Sequence, residues 1–200
     1  MSLPRPSPVS VQSGESSKNE FSQDERRLLL RLAHDSILSG LEQREIPLEP
    51  PSVHLAQPRG VFTSLHIEGE LRGCVGYVLP ISPLYRAVAE TARAAAFDDT
   101  RFYPVTLEEA PHLEIELSIL SVPQPIHAED VEVGRHGLLI SMHGHRGLLL
   151  PQVPVEHNWD RTTFLEQTCR KAGLPVEAWK KGATIEAFVA EVFGDERARD

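Results

Sequence analysis

Residues 60 to 76 read Gly60-Val61-Phe62-Thr63-Ser64-Leu65-His66-Ile67-Glu68-Gly69-Glu70-Leu71-Arg72-Gly73-Cys74-Val75-Gly76. Val61 to Ile67 alternates with β-branched and aromatic residues, Glu68-Gly69-Glu70 has turn chemistry, and Leu71 onward resumes an extended pattern. The stretch predicts a β-hairpin whose second strand carries Cys74. On an extended strand Arg72 and Cys74 share a face, and a guanidinium beside a thiol favours the reactive thiolate. Gly73 and Gly76 let the backbone bend or approach another group closely. If the chain does chemistry, this is where to look first.

Working outward, Ser22-Gln23-Asp24-Glu25 has the spacing of a capping box and predicts a helix over 23–39, with Leu28, Leu29, Leu32, Ile37 and Leu38 buried and Gly40 as its stop. Pro47, Pro50, Pro51 and Pro58 mark an irregular connection. Ser82 as N-cap and Pro83 at the first helical position open a second helix over 83–96. Phe97 to Pro104 reads as a structured loop, and Thr106-Leu107-Glu108-Glu109 as another capping box. Leu113 to Ile119 alternates strictly and is a strand, with His112, Glu114, Glu116 and Ser118 on its polar face. That face could hold a metal, but a solvated face is what a half-buried strand requires, and no metal is expected there.

A second hairpin is expected from Leu138-Leu139-Ile140-Ser141-Met142 and Leu148-Leu149-Leu150, with the turn at His143 to Gly147. His143 and His145 lack a third ligand at a recognisable spacing, so they too give no metal site. A helix follows from Asp160 to Ala172, ending at Gly173-Leu174-Pro175, with Cys169 packed in its apolar stripe. Ile185, Phe188, Val189, Val192 and Phe193 fit a helical stripe, although the same residue types suit a strand. From residue 60 to 193 the order is hairpin, helix, strand, then hairpin, helix, last element. That order suggests two similar halves in an α+β domain with a mainly antiparallel sheet.

Composition narrows the function classes. A chain of 200 residues with 40% hydrophobic content supports one core domain, over 21–195, preceded by a flexible Pro/Ser-rich tail over 1–20. A formal net charge of −9 disfavours a nucleic-acid or anionic-membrane surface and leaves small molecules or protein partners. Cys74 and Cys169 form neither a disulfide framework nor a zinc motif. No signal-peptide pattern and no apolar run long enough for a membrane span is present, so a cytoplasmic location is expected.

Several segments together resemble one family. Leu71-Arg72-Gly73-Cys74-Val75-Gly76 is similar, with Val75 in place of isoleucine, to the hallmark Leu-Arg-Gly-Cys-Ile-Gly run of the AMMECR-type domain proteins: the human protein encoded in an Alport-syndrome chromosomal region and its prokaryotic relatives. The companions stand in order: Gly60 to Leu65, Ala96-Phe97-Asp98 with Arg101-Phe102 and Pro104-Val105, Glu132-Val133-Gly134 with His136-Gly137, and Leu150-Pro151-Gln152-Val153 with Trp159-Asp160. The resemblance covers about residues 22 to 194. Thr63-Ser64 and His157-Asn158 depart from the family's usual residues. The resemblance implies an α+β fold with a barrel-like, mostly antiparallel sheet, flanking helices and two structural repeats, and a strand over 184–193. It names no activity. Prokaryotic members resemble the A component of a system that also has a Memo-like protein and a radical S-adenosylmethionine enzyme, which makes such proteins plausible partners.

The leading functional expectation is an enzyme with Cys74 as nucleophile, Arg72 supplying charge, His136 taking the proton and Glu132 orienting the imidazole. Arg101 would clamp an anionic substrate, with Gly73, Gln152 and Trp159 completing the substrate site and no cofactor required. The alternatives are a buried, inert Cys74 with Arg72 paired to an acid and His136 filling a turn, a non-catalytic binding module, and an adaptor for the Memo-like and radical enzymes.

Overall fold

The computed structural model describes residues 20–195, so all of the expected tail except Glu20 lies outside the described residues. Helix α1 spans Gln23–Leu41, and both bonds of the Ser22/Glu25 capping box are made. Gly40 does not end it. An added Cβ there would lie 2.6 Å from the Phe97 ring, so the glycine is a packing site, and the helix stops at Glu42 with Gln43 left-handed at φ 54°. Leu29 and Ile37 are buried as expected, together with Ala33, Ser36 and Ser39, while Leu28, Leu32 and Leu38 are only half-buried.

Strands β1 (Gly60–Ile67) and β2 (Glu70–Tyr77) form the expected hairpin. Glu68 and Gly69 both have positive φ, 52° and 82°, which is the type I′ geometry that matches strand twist. The pairing slips between Leu65↔Gly73 and His66↔Leu71, leaving Arg72 as the extra residue of a bulge. Helix α2 (Leu84–Phe97) follows; Pro83, not Ser82, is its cap residue, and no side chain caps it. Its alanine-rich face packs on the hairpin closely enough that a Cβ on Gly73 would lie 2.2 Å from the Ala95 carbonyl oxygen.

Strands β3 (Glu114–Leu120) and β4 (Gln124–Pro125) come next, then β5 (Gly137–Met142) and β6 (His145–Leu149), joined by His143 and Gly144 at φ 50° and 85°. The turn is thus tighter than expected, and it again has two left-handed residues. Helix α3 (Gln152–Glu156), not anticipated from the sequence, precedes α4 (Arg161–Lys171), which Asp160 caps through the Thr163 amide at 2.7 Å.

The terminal segment corrects the periodicity argument: it is β7 (Thr184–Phe188) and β8 (Ala190–Gly194), the strand form that the family resemblance implied. Pairing decides, because Phe188 is buried over Gly137, where a Cβ would meet its ring at 2.2 Å, and β8 pairs with β3.

The strands make two antiparallel four-stranded sheets, ordered β2-β1-β3-β8 and β4-β7-β5-β6. Neither sheet closes on itself, so the described residues form no barrel. The chain crosses between sheets at Ser121 and Val189, and these are tied by Ser121 N–H to Val189 C=O at 2.9 Å and Val189 N–H to Ser121 Oγ at 3.1 Å. One core lies between the first sheet and α1 and α2, the other between the second sheet and α4. The architecture is α+β. No described helix is long and apolar enough to cross a membrane.

Candidate functional site

The tight α2 contact at Gly73 puts the helix on one face of β2, and alternation turns Cys74 to the other. There it meets a cleft of ≈ 560 Å³. One wall is the open face of the first sheet: Phe62, Ser64, Cys74, Glu116, Ser118 and Val192. The opposite wall comes from the second half of the chain and includes Gly134, Arg135, Pro151, Gln152, Val155 and Glu156.

Cys74, Ser64 and Glu116 stand in one row across β2, β1 and β3. The Cys74 amide donates to Asp99 Oδ2 at 2.9 Å and its carbonyl accepts from Arg101 Nη2 at 3.3 Å. Both backbone groups therefore point off the sheet edge, so Cys74 and Ser64 are a pair without mutual backbone bonds, the kind whose side chains sit closest. Accordingly, Ser64 Oγ–H donates to Cys74 Sγ at 3.3 Å. The Asp99 and Arg101 side chains supply the acceptor and donor that a neighbouring strand would supply. This leaves the edge at Cys74 no free pairing groups.

Arg101 holds Asp99 through two bonds, Nε to Oδ1 at 2.9 Å and Nη2 to Oδ2 at 2.7 Å. Those bonds first, and the Cys74 amide next, keep the Asp99 carboxyl far below the usual carboxylate range. The Arg101 fork is therefore occupied by an internal carboxylate rather than open as an anion clamp.

Arg72 lies elsewhere. Because it is the extra residue of the bulge, simple alternation does not align it with Cys74; its guanidinium goes to Glu109 at 2.9 and 3.1 Å and to the Tyr103 carbonyl at 2.8 Å. The Arg72 hydrogen bonds are the main reason that the Glu109 carboxyl titrates low. Glu109 also closes the expected capping box with Thr106. The cation held beside Cys74 is Arg101.

His136 is half-buried in a turn, its Nδ1 accepting from the Glu132 amide at 3.1 Å while its own amide donates to the Glu132 carbonyl. Burial, then the nearby Arg135 charge, push its pKa down, with Glu132 opposing. The Glu132 carboxylate pairs with Arg135 at 3.0 Å instead of orienting the ring. No hydrogen bond joins His136 to Cys74, and His136 is not among the residues lining the cleft. Gln152 lines it at the start of α3; Trp159 packs on the second core and stacks with His157 at 4.7 Å. Gly73 serves helix packing. Cys169 is fully buried, and burial pushes its thiol pKa up. No group of metal-binding side chains occurs among the described residues.

Sequence reasoning named Gln152 but missed Phe62, Ser64, Glu116, Ser118 and the later α3 residues Val155 and Glu156. The alternation of β3 does put Glu116 and Ser118 on one face, but only the fold shows that the second half covers it.

The AMMECR1 family model matches residues 30–193. The chain is 41% identical over 185 residues to protein MK0488 of Methanopyrus kandleri, covering 86% of this chain and 89% of that one. A protein of Methanothermobacter thermautotrophicus is 40% identical over 187 residues, 88% and 97% of the two chains. Among solved structures, the crystal structure of uncharacterized protein PH0010 from Pyrococcus horikoshii matches with a TM-score of 0.63 at 40% identity, covering 84% of this chain and 90% of that one. With the Leu71–Gly76 run on a strand facing a cleft and the family match spanning both sheets, the chain belongs to the AMMECR1 family.

Proposed function

We propose that the inter-sheet cleft binds a small molecule and that Cys74 is its reactive group, making the protein a cytosolic enzyme or a component of a modification system. The observation that carries this reading is the Cys74–Ser64 pair in the cleft wall. The Ser64 hydroxyl orients the sulfur in the cleft wall, and the Asp99–Arg101 brace holds the cysteine backbone in place. The volume of ≈ 560 Å³ suits a small-molecule site. Thiolate attack on an electrophilic centre is the chemistry such a group performs; with His136 committed to its turn, the thiol proton leaves to solvent through the cleft mouth. The two free cysteines agree with a reducing compartment. Under this reading the two sheets, β2-β1-β3-β8 and β6-β5-β7-β4, are similar halves that each take their last strand from the other, and the cleft is their junction.

The test is alkylation of the native protein across pH, with Cys169 as internal reference and mass spectrometry to separate the two sites. Cys74 should label in the folded protein while Cys169, fully buried, waits for unfolding. Labelling of Cys74 only together with Cys169 would sink the reading.

A further inference from the structure

Glu116 occupies the third place in the row that begins with Cys74 and Ser64, and it is half-buried in the cleft wall. Several half-buried acids elsewhere hold a cation: Glu25 and Asp195 each pair with a histidine, and Asp99, Glu109 and Glu191 each with an arginine. Glu116 has no such partner among the described residues. Of the other charged groups lining the cleft, Arg135 is engaged by Glu132 at 3.0 Å, and Glu156 adds a second carboxylate. Behind Cys74, Arg101 is matched by Asp99. In the adjoining hollow, Arg26 is matched by Glu191, and Glu20 is taken by Arg59 and His54. Each arginine around the cleft is therefore neutralised within the protein, and the unmatched charge is negative.

We infer that the ligand of this cleft is a small molecule bearing a protonated amine, held by the Glu116 carboxylate while its reacting centre lies at Cys74. This rests on the reading of the cleft given above and adds the substrate class. The spacing suits it. A pair without mutual backbone bonds followed by a bonded pair puts the Cys74 and Glu116 backbones about 10 Å apart, and the inward reach of both side chains leaves a gap that a short aminoalkyl chain spans. Ser64 and Ser118 supply hydroxyls, and Phe62 and Val192 apolar contact, along that path.

The test uses three methanethiosulfonates on the full-length protein: aminoethyl (cationic), sulfonatoethyl (anionic) and methyl (neutral). In each case the Cys74 thiolate displaces methanesulfinate and keeps the transferred thioalkyl group as a mixed disulfide, so rates differ through charge. The wild type should favour the cationic over the anionic reagent, each rate normalised to the neutral one, and Glu116→Gln should reduce that ratio by at least about fivefold. Glu156→Gln should reduce it less, and continued protection of Cys169 reports that each variant is folded. Reaction of Cys74 without a cationic preference, or a preference that survives Glu116→Gln, overturns the amine assignment alone. Failure of Cys74 to react with any of the three while the protein is folded overturns this inference and the cysteine reading together.

Discussion

Substituting Gly73 by alanine tests whether the glycine next to Cys74 serves helix packing rather than backbone bending. Its φ is not positive, so the substitution carries no left-handed strain. The obstacle is the Ala95 carbonyl of α2, whose oxygen would lie 2.2 Å and whose carbon would lie 3.1 Å from the new methyl. Relief requires about 1 Å of separation between β2 and α2, because backbone on both sides cannot rotate away, and overpacking of this kind costs about 2 kcal/mol or more. For a domain of this size that is a fall in Tm of about 4–8 °C. Gly69→Ala is the control: no atom lies within 4 Å of its Cβ, but φ is +82°, so its cost is the left-handed one of about 1 kcal/mol. Urea unfolding at matched m-values measures both, and the Cys74 alkylation rate should change in Gly73→Ala and not in Gly69→Ala, because only the first moves β2. A Gly73→Ala protein within about 0.5 kcal/mol of wild type would refute the packing argument.

Thr63 and Thr91 share a buried hydroxyl contact at 2.7 Å, and Thr91 also donates to the Ala87 carbonyl. Thr91→Val should cost about 1–3 kcal/mol by stranding the Thr63 hydroxyl, and the Thr63→Val/Thr91→Val double variant should recover part of that in chemical denaturation. The Asp99 carboxyl has a folded pKa well below its unfolded value of about 3.9. Its stabilising contribution is therefore complete above that value and lost as pH falls through the folded one. The stability gap between wild type and Asp99→Asn should be constant near neutrality and shrink in acid, with faster exchange of the Cys74 amide in the variant; a gap that widens in acid contradicts the assignment. Arg72→Ala should cost about 1 kcal/mol through loss of its bidentate pair with the partly exposed Glu109 carboxylate, yet change Cys74 alkylation less than twofold. His136→Ala should leave the pH profile of Cys74 alkylation unchanged, since its ring serves the Glu132 amide; a shifted profile would return His136 to the chemistry.

The features legible in the residues alone are those that short-range chemistry controls. The capping boxes at Ser22/Glu25 and Thr106/Glu109, the Glu68-Gly69 turn, the alternating strand before Leu120 and the Asp160 cap depend on neighbours a few residues apart, and all are present. The Leu71–Gly76 run together with its ordered companion segments pointed to the family. Tertiary structure decided the rest. One extra residue in β2 redirected Arg72 to Glu109, because a bulge breaks the alternation on which its pairing with Cys74 depended. The last segment became two strands because β3 and β5 offered it backbone partners that no periodicity reports. Glu116, which by alternation alone belongs to a solvated face, became a cleft residue because the chain crosses at Ser121 and folds its second half over the first sheet. Side-chain periodicity encodes which face a residue occupies, but what packs over that face is set by contacts between segments distant in sequence.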